Sequence, residues 1–418
     1  MNPLTSVKGM RDILPPSSAV WNQVEAAARR IFARFNYREI RTPILEETAL
    51  FARGVGEETD IVSKEMYTFE DRDGTSLTLR PENTASVLRA YIQQRLDQEP
   101  GVHKLYYIGP MFRRERPQKG RYRQFYQIGA EAIGSDSPAI DAEVIQMVLA
   151  ILDEVGIAGY KLLINSVGSK ESRARYNEIL REALREAAPQ MCGDCRRRAE
   201  TNPLRVLDCK VPEDQPIIEK LPSILDSLDE SDREHFRRVR EFLDDLGIRY
   251  TVNPRLVRGL DYYARTTFEV THGALGAQNA ILGGGRYDGL AEILGSKVPA
   301  PGIGFSIGED RLVMTAEEAQ AMTPAVLDLY VAPMGEAALR HALVLATEIR
   351  KTGISVEVST DRKLKRMLEI ANKTGARYTL IIGDNEIASQ SYTLKNMATG
   401  EQTSATRQKL LEHTQWLK

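Results

Sequence analysis

Cysteine, tryptophan and net charge are all scarce in this sequence. Three cysteines in 418 residues are too few for a disulfide scaffold and suit a reducing, cytoplasmic compartment. Acidic and basic residues nearly cancel, 58 against 56, for a formal net charge of -2. That balance excludes a surface coated throughout with nucleic acid and leaves local basic sites open. The longest apolar run, over 144–152, is broken by Gln146 and falls well short of the ~20 residues that span a bilayer, so no membrane association is expected. The opening MNPLTSVKGMRD has no apolar core, so no secretory signal is expected either. A GxxxxGK[ST] loop is absent, which argues against a P-loop nucleotide site.

What is present reads as a soluble globular chain, 42% hydrophobic and 27% charged. Its length exceeds one ordinary core and predicts two or three domains. After Pro15-Pro16-Ser17-Ser18, the recurrence of Val20, Val24, Ala27, Ile31 and Phe35 predicts an amphipathic helix. Strand signals at 76–80 precede Pro81, where a helix is expected to begin. Two strands over 105–115 and 122–133 flank a loop containing Pro117-Gln118-Lys119-Gly120, and a helix follows over 141–155. From about 170 to 247 the texture turns charged and helical and holds all three cysteines, which predicts a helical insertion. Beyond Thr323-Pro324-Ala325, strand and helix patterns alternate, predicting a small α/β unit with a partly parallel sheet.

Charge is locally concentrated where the bulk is neutral. FRRERPQKGRYRQF, residues 112–125, carries six basic residues and one acid, Glu115. Alternation along 122–133 puts Tyr126, Ile128, Ala130 and Ala132 on a core-facing side and Arg123, Phe125, Gln127, Gly129 and Glu131 on the other. Gly129 is expected to leave an open floor for a ligand between Gln127 and Glu131, which lie ~13 Å apart at strand rise. Guanidinium groups match phosphate oxygens bidentately, so Arg113, Arg121 and Arg123 beside Phe125 suit a nucleotide. The triglycine Gly283-Gly284-Gly285 fits a tight turn as well as a ligand loop.

These stretches resemble the class II aminoacyl-tRNA synthetases, and more narrowly the histidyl-tRNA synthetase family. TPILEE resembles motif 1, TLRPENTA the amino-acid-binding turn, MFRRERPQKGRYRQFYQIGAE motif 2, and GIGFSIGEDRL motif 3. RGLDYYARTTFEV and GGGRYDGL resemble two signatures of the histidine enzymes. The resemblance covers nearly the whole chain in family order. It implies an α+β architecture, with an antiparallel-sheet catalytic domain over 1–324 that includes the 170–247 insertion. An α/β anticodon-binding domain would follow over 325–418.

The activity implied is formation of histidyl-adenylate from histidine and ATP, with Mg2+ accompanying the nucleotide, and transfer to tRNA(His). A cytoplasmic homodimer is implied, with Pro43 at its interface. Carried over by motif, Arg113, Glu115, Arg121, Phe125 and Arg311 would bind ATP. Glu82, Thr84, Gln127, Glu131, Arg258, Tyr262, Tyr263 and Tyr287 would bind histidine. Arg258, Arg113 and Gln127 would form the catalytic set. Three positions depart from the family pattern: Asn83 where glycine is frequent, and Glu309 and Asp310 where motif 3 usually reads Leu-Glu. In the insertion, Cys192, Cys195 and Cys209 lack a second CxxC pair. Asp208 or His235 would have to complete a four-ligand zinc site, so free thiols and no metal are expected.

A rival resemblance is the regulatory subunit of ATP phosphoribosyltransferase. It is disfavoured because Arg113, Arg258 and Arg311 are all present and an α/β domain follows. The last 94 positions hold 13 Lys/Arg against 10 Asp/Glu, and Arg362, Lys363, Lys365, Arg366, Lys373 and Arg377 cluster around one helix. With the resemblance, that cluster implies contact with tRNA phosphates.

Overall fold

The computed structural model describes residues 3–57, 59–273, 280–321 and 327–412. The chain divides into two compact units, Met1–Thr323 and Pro324–Lys418. The expected connector Thr323-Pro324-Ala325 lies outside the described residues.

The first unit is built on an eight-stranded sheet. Its order is Arg38–Glu39, His103–Phe112, Gln124–Ile133, Gly302–Gly308, Ala280–Arg286, Ala264–Thr271, Lys161–Ser166 and Thr251–Val252. The six central strands pair antiparallel, and the two short edge strands pair parallel to their neighbours. One sheet face packs against helices Ser17–Arg34, Pro138–Val155 and Glu230–Asp245, which supply Val24, Ile31, Val148, Ile151 and Val239 to the main core. Helix Pro138–Val155 has firm ends: Ser137 accepts from Ala139 N, Pro138 sits at the first turn, and Gly156 closes it at φ 84°.

Three expectations shift in the structure. The helix after TLRPEN starts at Thr84, not at Pro81, because the Glu82 carboxylate caps it. The triglycine is neither turn nor loop but the middle of strand Ala280–Arg286. Its missing side chains admit close neighbours, since a Cβ on Gly284 would collide with Phe268 and with the Gly304 carbonyl. The 170–247 stretch is helical, yet it is not one separately packed piece. Helices Lys170–Ala187 and Gly193–Thr201 join a second core around Tyr176, Leu180 and Cys195. Helix Glu230–Asp245 instead buries Phe236, Val239 and Leu243 in the main one.

The N-terminal segment straps the motif-2 strand. Gly9 O accepts from Arg123 N at 2.7 Å. Arg11 lies over the Tyr122 ring at 4.2 Å and donates to Asp310 at 2.7 Å.

The second unit is a five-stranded sheet ordered Val356–Val358, Leu329–Pro333, Tyr378–Ile382, Ser391–Asn396 and Gln402–Thr406. The first three strands are parallel, and the last two extend the sheet as antiparallel hairpins. Helices Glu336–Arg350 and Leu364–Lys373 cover it. No helix among the described residues is long and apolar enough to cross a membrane.

Candidate active site

The sheet face opposite the main core carries two connected hollows. A cleft of about 1060 Å³ is lined by Arg113, Glu115, Arg121, Phe125, Arg258 and Arg311 among others. A far smaller cavity of about 150 Å³ lies against Glu82, Thr84, Gln127, Glu131, Tyr262, Tyr263 and Tyr287. Every residue of the expected ATP and histidine sets thus lies on one hollow or the other. Arg113 and Arg258 line both.

Strand alternation builds the cavity. Gln127 and Glu131 share a face of Gln124–Ile133, and the intervening Gly129 does not leave the open floor expected of it. The Tyr107 ring from the paired strand fills that space, so that a Cβ on Gly129 would collide with it. Two further glycines shape the wall. A side chain on Gly304 would overlap the Glu131 carboxylate, and one on Gly302 would overlap the Tyr287 ring. The motif-3 glycines therefore seat residues that arrive from other segments.

Glu131 is the centre of a buried hydrogen-bond network. It accepts from Thr84 Oγ1 at 2.8 Å, Tyr287 OH at 2.8 Å and Tyr107 OH at 3.5 Å. Burial pushes its carboxyl up to about 8, against the partly compensating hydrogen bonds from Tyr287 and Thr84. Glu82 is also raised by burial, although it accepts from the N–H groups of Thr84 at 2.7 Å and Ala85 at 2.9 Å. Those two bonds cap the helix, and the carboxylate still faces the cavity. Burial likewise holds the phenols of Tyr262 and Tyr287 well above their usual range.

Arg258 stands where cavity meets cleft. Its Nη1 donates to Glu269 at 2.6 Å. Burial would lower the guanidinium, but Glu269 together with Tyr263 and Asp208 outweighs this and holds it above its ordinary value. Gly283 on the neighbouring strand has no side chain because the Arg258 guanidinium occupies that space. Among the described residues, three polar atoms near this junction are buried without a hydrogen-bond partner: Arg258 Nε, Gln127 Oε1 and Ser306 Oγ. Unpaired buried polar groups are costly and mark places completed by something else.

In the cleft, the Arg113 guanidinium lies 5.2 Å from the Phe125 ring centre and its Nε donates to Pro81 O at 2.8 Å. Glu115 pairs with Arg121 at 3.1 Å and stands 3.8 Å from Arg113. Arg311 donates to Ala280 O at 2.7 Å and to Gly120 O at 3.3 Å, which ties it to the motif-2 loop. Arg123, expected on the ligand face, instead donates to Glu115 O and Lys8 O.

The departures have physical readings. Asn83 adopts φ -121°, which needs no glycine, and accepts from Thr42 Oγ1 at 2.6 Å. Asp310 accepts from Arg11 and from Tyr126 N at 3.0 Å. Glu309 is buried with neither carboxylate oxygen partnered among the described residues, and burial raises it far above its usual range. The sequence reasoning missed Tyr107, Glu269 and Arg173. Arg173 donates to the carbonyls of Tyr263 at 2.5 Å and Asp261 at 3.0 Å, and so fixes the RGLDYY loop. Alternation within RTTFEV would have put Glu269 on the cleft side; nothing local marks Arg173.

The thiols do converge, but with neither expected companion. Asp208 faces Arg205 and Lys210, and His235 lies beside Asp141. Asp214 takes the fourth place beside Cys192, Cys195 and Cys209.

Known proteins resemble the chain over its whole length. The family model described as histidyl-tRNA synthetase matches residues 9–312, and the one described as anticodon binding domain matches 328–415. A histidine--tRNA ligase of Solibacter usitatus is 69% identical over 97% of this chain and 98% of its own. One from Koribacter versatilis is 58% identical over 97% and 95%. The crystal structure of apo S. aureus histidyl-tRNA synthetase is 39% identical, covers both chains fully and superposes with a TM-score of 0.81.

Proposed function

The chain belongs to the histidyl-tRNA synthetase family, and from that premise we propose a division of labour for the two hollows. The enzyme is a histidine--tRNA ligase: it activates histidine with ATP and charges tRNA(His). ATP enters as its magnesium complex. The nucleotide occupies the cleft and the amino acid the cavity, so that the histidine carboxylate reaches the α-phosphorus beside Arg113 and Arg258. The observation that supports this best is the junction itself, where two guanidiniums and three unpartnered buried polar atoms meet.

The chemistry asks for positioning and charge, not for a strong base. The attacking carboxylate is already ionised, and pyrophosphate leaves as the acyl–phosphate bond forms. Arg113 and Arg258 oppose the negative charge that develops on the α-phosphate. Gln127 orients the carboxylate, and Glu82 with Thr84 holds the α-ammonium. Glu131 and Tyr263 engage the two imidazole nitrogens, with Tyr262 and Tyr287 closing the wall. Phe125 and Arg311 sandwich adenine, Glu115 accepts from its amino group, and Arg121 reaches the outer phosphates. In the second step the terminal ribose hydroxyl of tRNA attacks the acyl carbon and AMP departs.

The second unit acts as the anticodon-binding domain, with the exposed Arg362, Lys363, Lys365 and Arg366 facing tRNA phosphates. The chain works as a homodimer in the cytoplasm. Support for pairing comes from the motif-1 region, where Ile44, Leu45 and Phe69 stand exposed on one small three-stranded sheet and its entry. ATP–pyrophosphate exchange with each amino acid tests the proposal. Exchange should depend on histidine; exchange driven equally by another amino acid, or absent altogether, would sink it.

A further inference from the structure

Three thiols and a carboxylate from the insertion come together in a way the aminoacylation site does not use. Cys192, Cys195, Cys209 and Asp214 place their ligand atoms within 4.8 Å of one another, and all but Cys192 are buried. The spacing is C-x2-C-x13-C-x4-D. Cys192 Sγ and Cys209 Sγ are 3.9 Å apart. That is far beyond the ~2.05 Å of a disulfide. It is close to the edge of about 3.8 Å expected between two sulfurs held ~2.3 Å from a tetrahedral zinc.

The backbone is arranged for thiolates. Cys192 precedes helix Gly193–Thr201 and its sulfur accepts from Cys195 N at 3.4 Å; Cys209 Sγ accepts from Val211 N at 3.4 Å. Gln215 Nε2 donates to Cys209 O at 2.7 Å and Val211 O at 3.2 Å, which fixes the second turn. Asp214 is only 2% exposed. Its carboxylate meets Cys209 Sγ at 3.2 Å and Cys192 N at 3.1 Å, and among the described residues it forms no ion pair. A buried carboxylate among soft sulfur donors, without a cationic side chain, suits a metal cation.

We propose that Cys192, Cys195, Cys209 and Asp214 hold one zinc ion that staples the insertion and fixes a wall of the cleft. The donor set selects the metal class: magnesium and calcium take oxygen ligands, whereas three thiolates with one carboxylate fit tetrahedral zinc. Loading exchanges three thiol protons for Zn2+, so the closed site carries a net charge of -2. Cys192, Cys209 and Lys210 line the cleft, so the ion would hold that wall without touching the reacting groups.

The full chain, purified without chelator from zinc-supplemented cells, should contain about one zinc per chain by plasma emission spectrometry. Cobalt(II) exchanged into it should give tetrahedral ligand-field bands with sulfur-to-cobalt charge transfer. Cys209→Ser should abolish retention, and Asp214→Asn should weaken it at least tenfold in chelator competition. Asp208→Asn, whose carboxylate faces Arg205 and Lys210, should retain the ion. Folded wild-type protein without zinc, with three freely titratable thiols and no cobalt spectrum, would overturn the proposal. A Cys192–Cys209 disulfide would overturn it as well. The wild-type metal content and cobalt spectrum decide the matter even if a variant fails to fold.

Discussion

In the smaller cavity, Glu82 and Glu131 are 3% and 1% exposed, and burial raises both carboxyls. In the adjoining cleft, the Arg113, Glu115 and Arg121 side chains keep 20%, 16% and 43% of their surface. The cavity would work by desolvation: few groups, shut off from water, each expensive to leave unpaired. The cleft offers several partly hydrated charges, suited to the multiply charged ligand proposed for it. Helix Leu364–Lys373 in the second unit extends the trend, since Lys365 and Arg366 are exposed. Selectivity should therefore concentrate where water is excluded, and salt sensitivity should grow with exposure.

The sharpest test falls on the shared boundary. Arg258→Ala should lower the rate of histidyl-adenylate formation by on the order of 10²–10³, the usual cost of one charge-stabilising donor. Single-turnover kinetics would check it, and a wild-type rate would remove Arg258 from the reaction. Glu131→Gln should raise the histidine KM about 10- to 100-fold, as expected when a buried hydrogen-bonding partner is left mispaired. The ATP KM should stay put; equal losses for both substrates would mean a damaged strand.

The same variant probes the carboxyl's neutrality. Glu131 is held at about 8 when folded and stands at 4.5 unperturbed. The folded form therefore keeps a proton that the unfolded form has lost, and stability falls as pH rises from about 4.5 through 8. The Tm of ligand-free Glu131→Gln, relative to wild type, should climb across that window and level off above it. A constant offset at all pH values would show an ordinary carboxylate.

On the cleft side, Phe125→Ala should raise the ATP KM only about 2- to 10-fold, the scale of one lost ring contact. Added salt should raise the ATP KM and leave that of histidine nearly unchanged. The smallest effect belongs to the second unit. Lys365→Ala should reduce the salt slope of tRNA binding by roughly one if it meets a phosphate. An unchanged slope would make that lysine a solvated surface residue.

Local patterns carried much of this architecture. Period-two alternation correctly separated Ile128 and Ala130 from Gln127 and Glu131, because a strand fixes sidedness by itself. Motif order brought the remaining site residues along. What stayed hidden depends on tertiary packing. Gly129 reads as an opening in sequence and Gly283 as part of a turn or ligand loop, whereas the space beside each, and beside Gly304, is filled by a residue from another segment: Tyr107, Arg258 and Glu131. Charged helical texture suggested one insertion over 170–247, yet Phe236, Val239 and Leu243 make the last helix part of the main core. Asp214 was invisible as a companion of the thiols because only folding places it beside Cys192.

The strap formed by Gly9 and Arg11 has a consequence for the order of folding. Its partners Arg123 and Asp310 lie 114 and 299 positions away along the chain. Contacts so distant close slowly, since the loop entropy comes before any reward. The strap is thus expected to be among the last contacts to settle, against two elements that frame the cleft. Until Asp310 has been synthesised and placed, Arg11 has its ring contacts but lacks its ion pair, so that corner of the cleft waits on a residue 299 positions downstream.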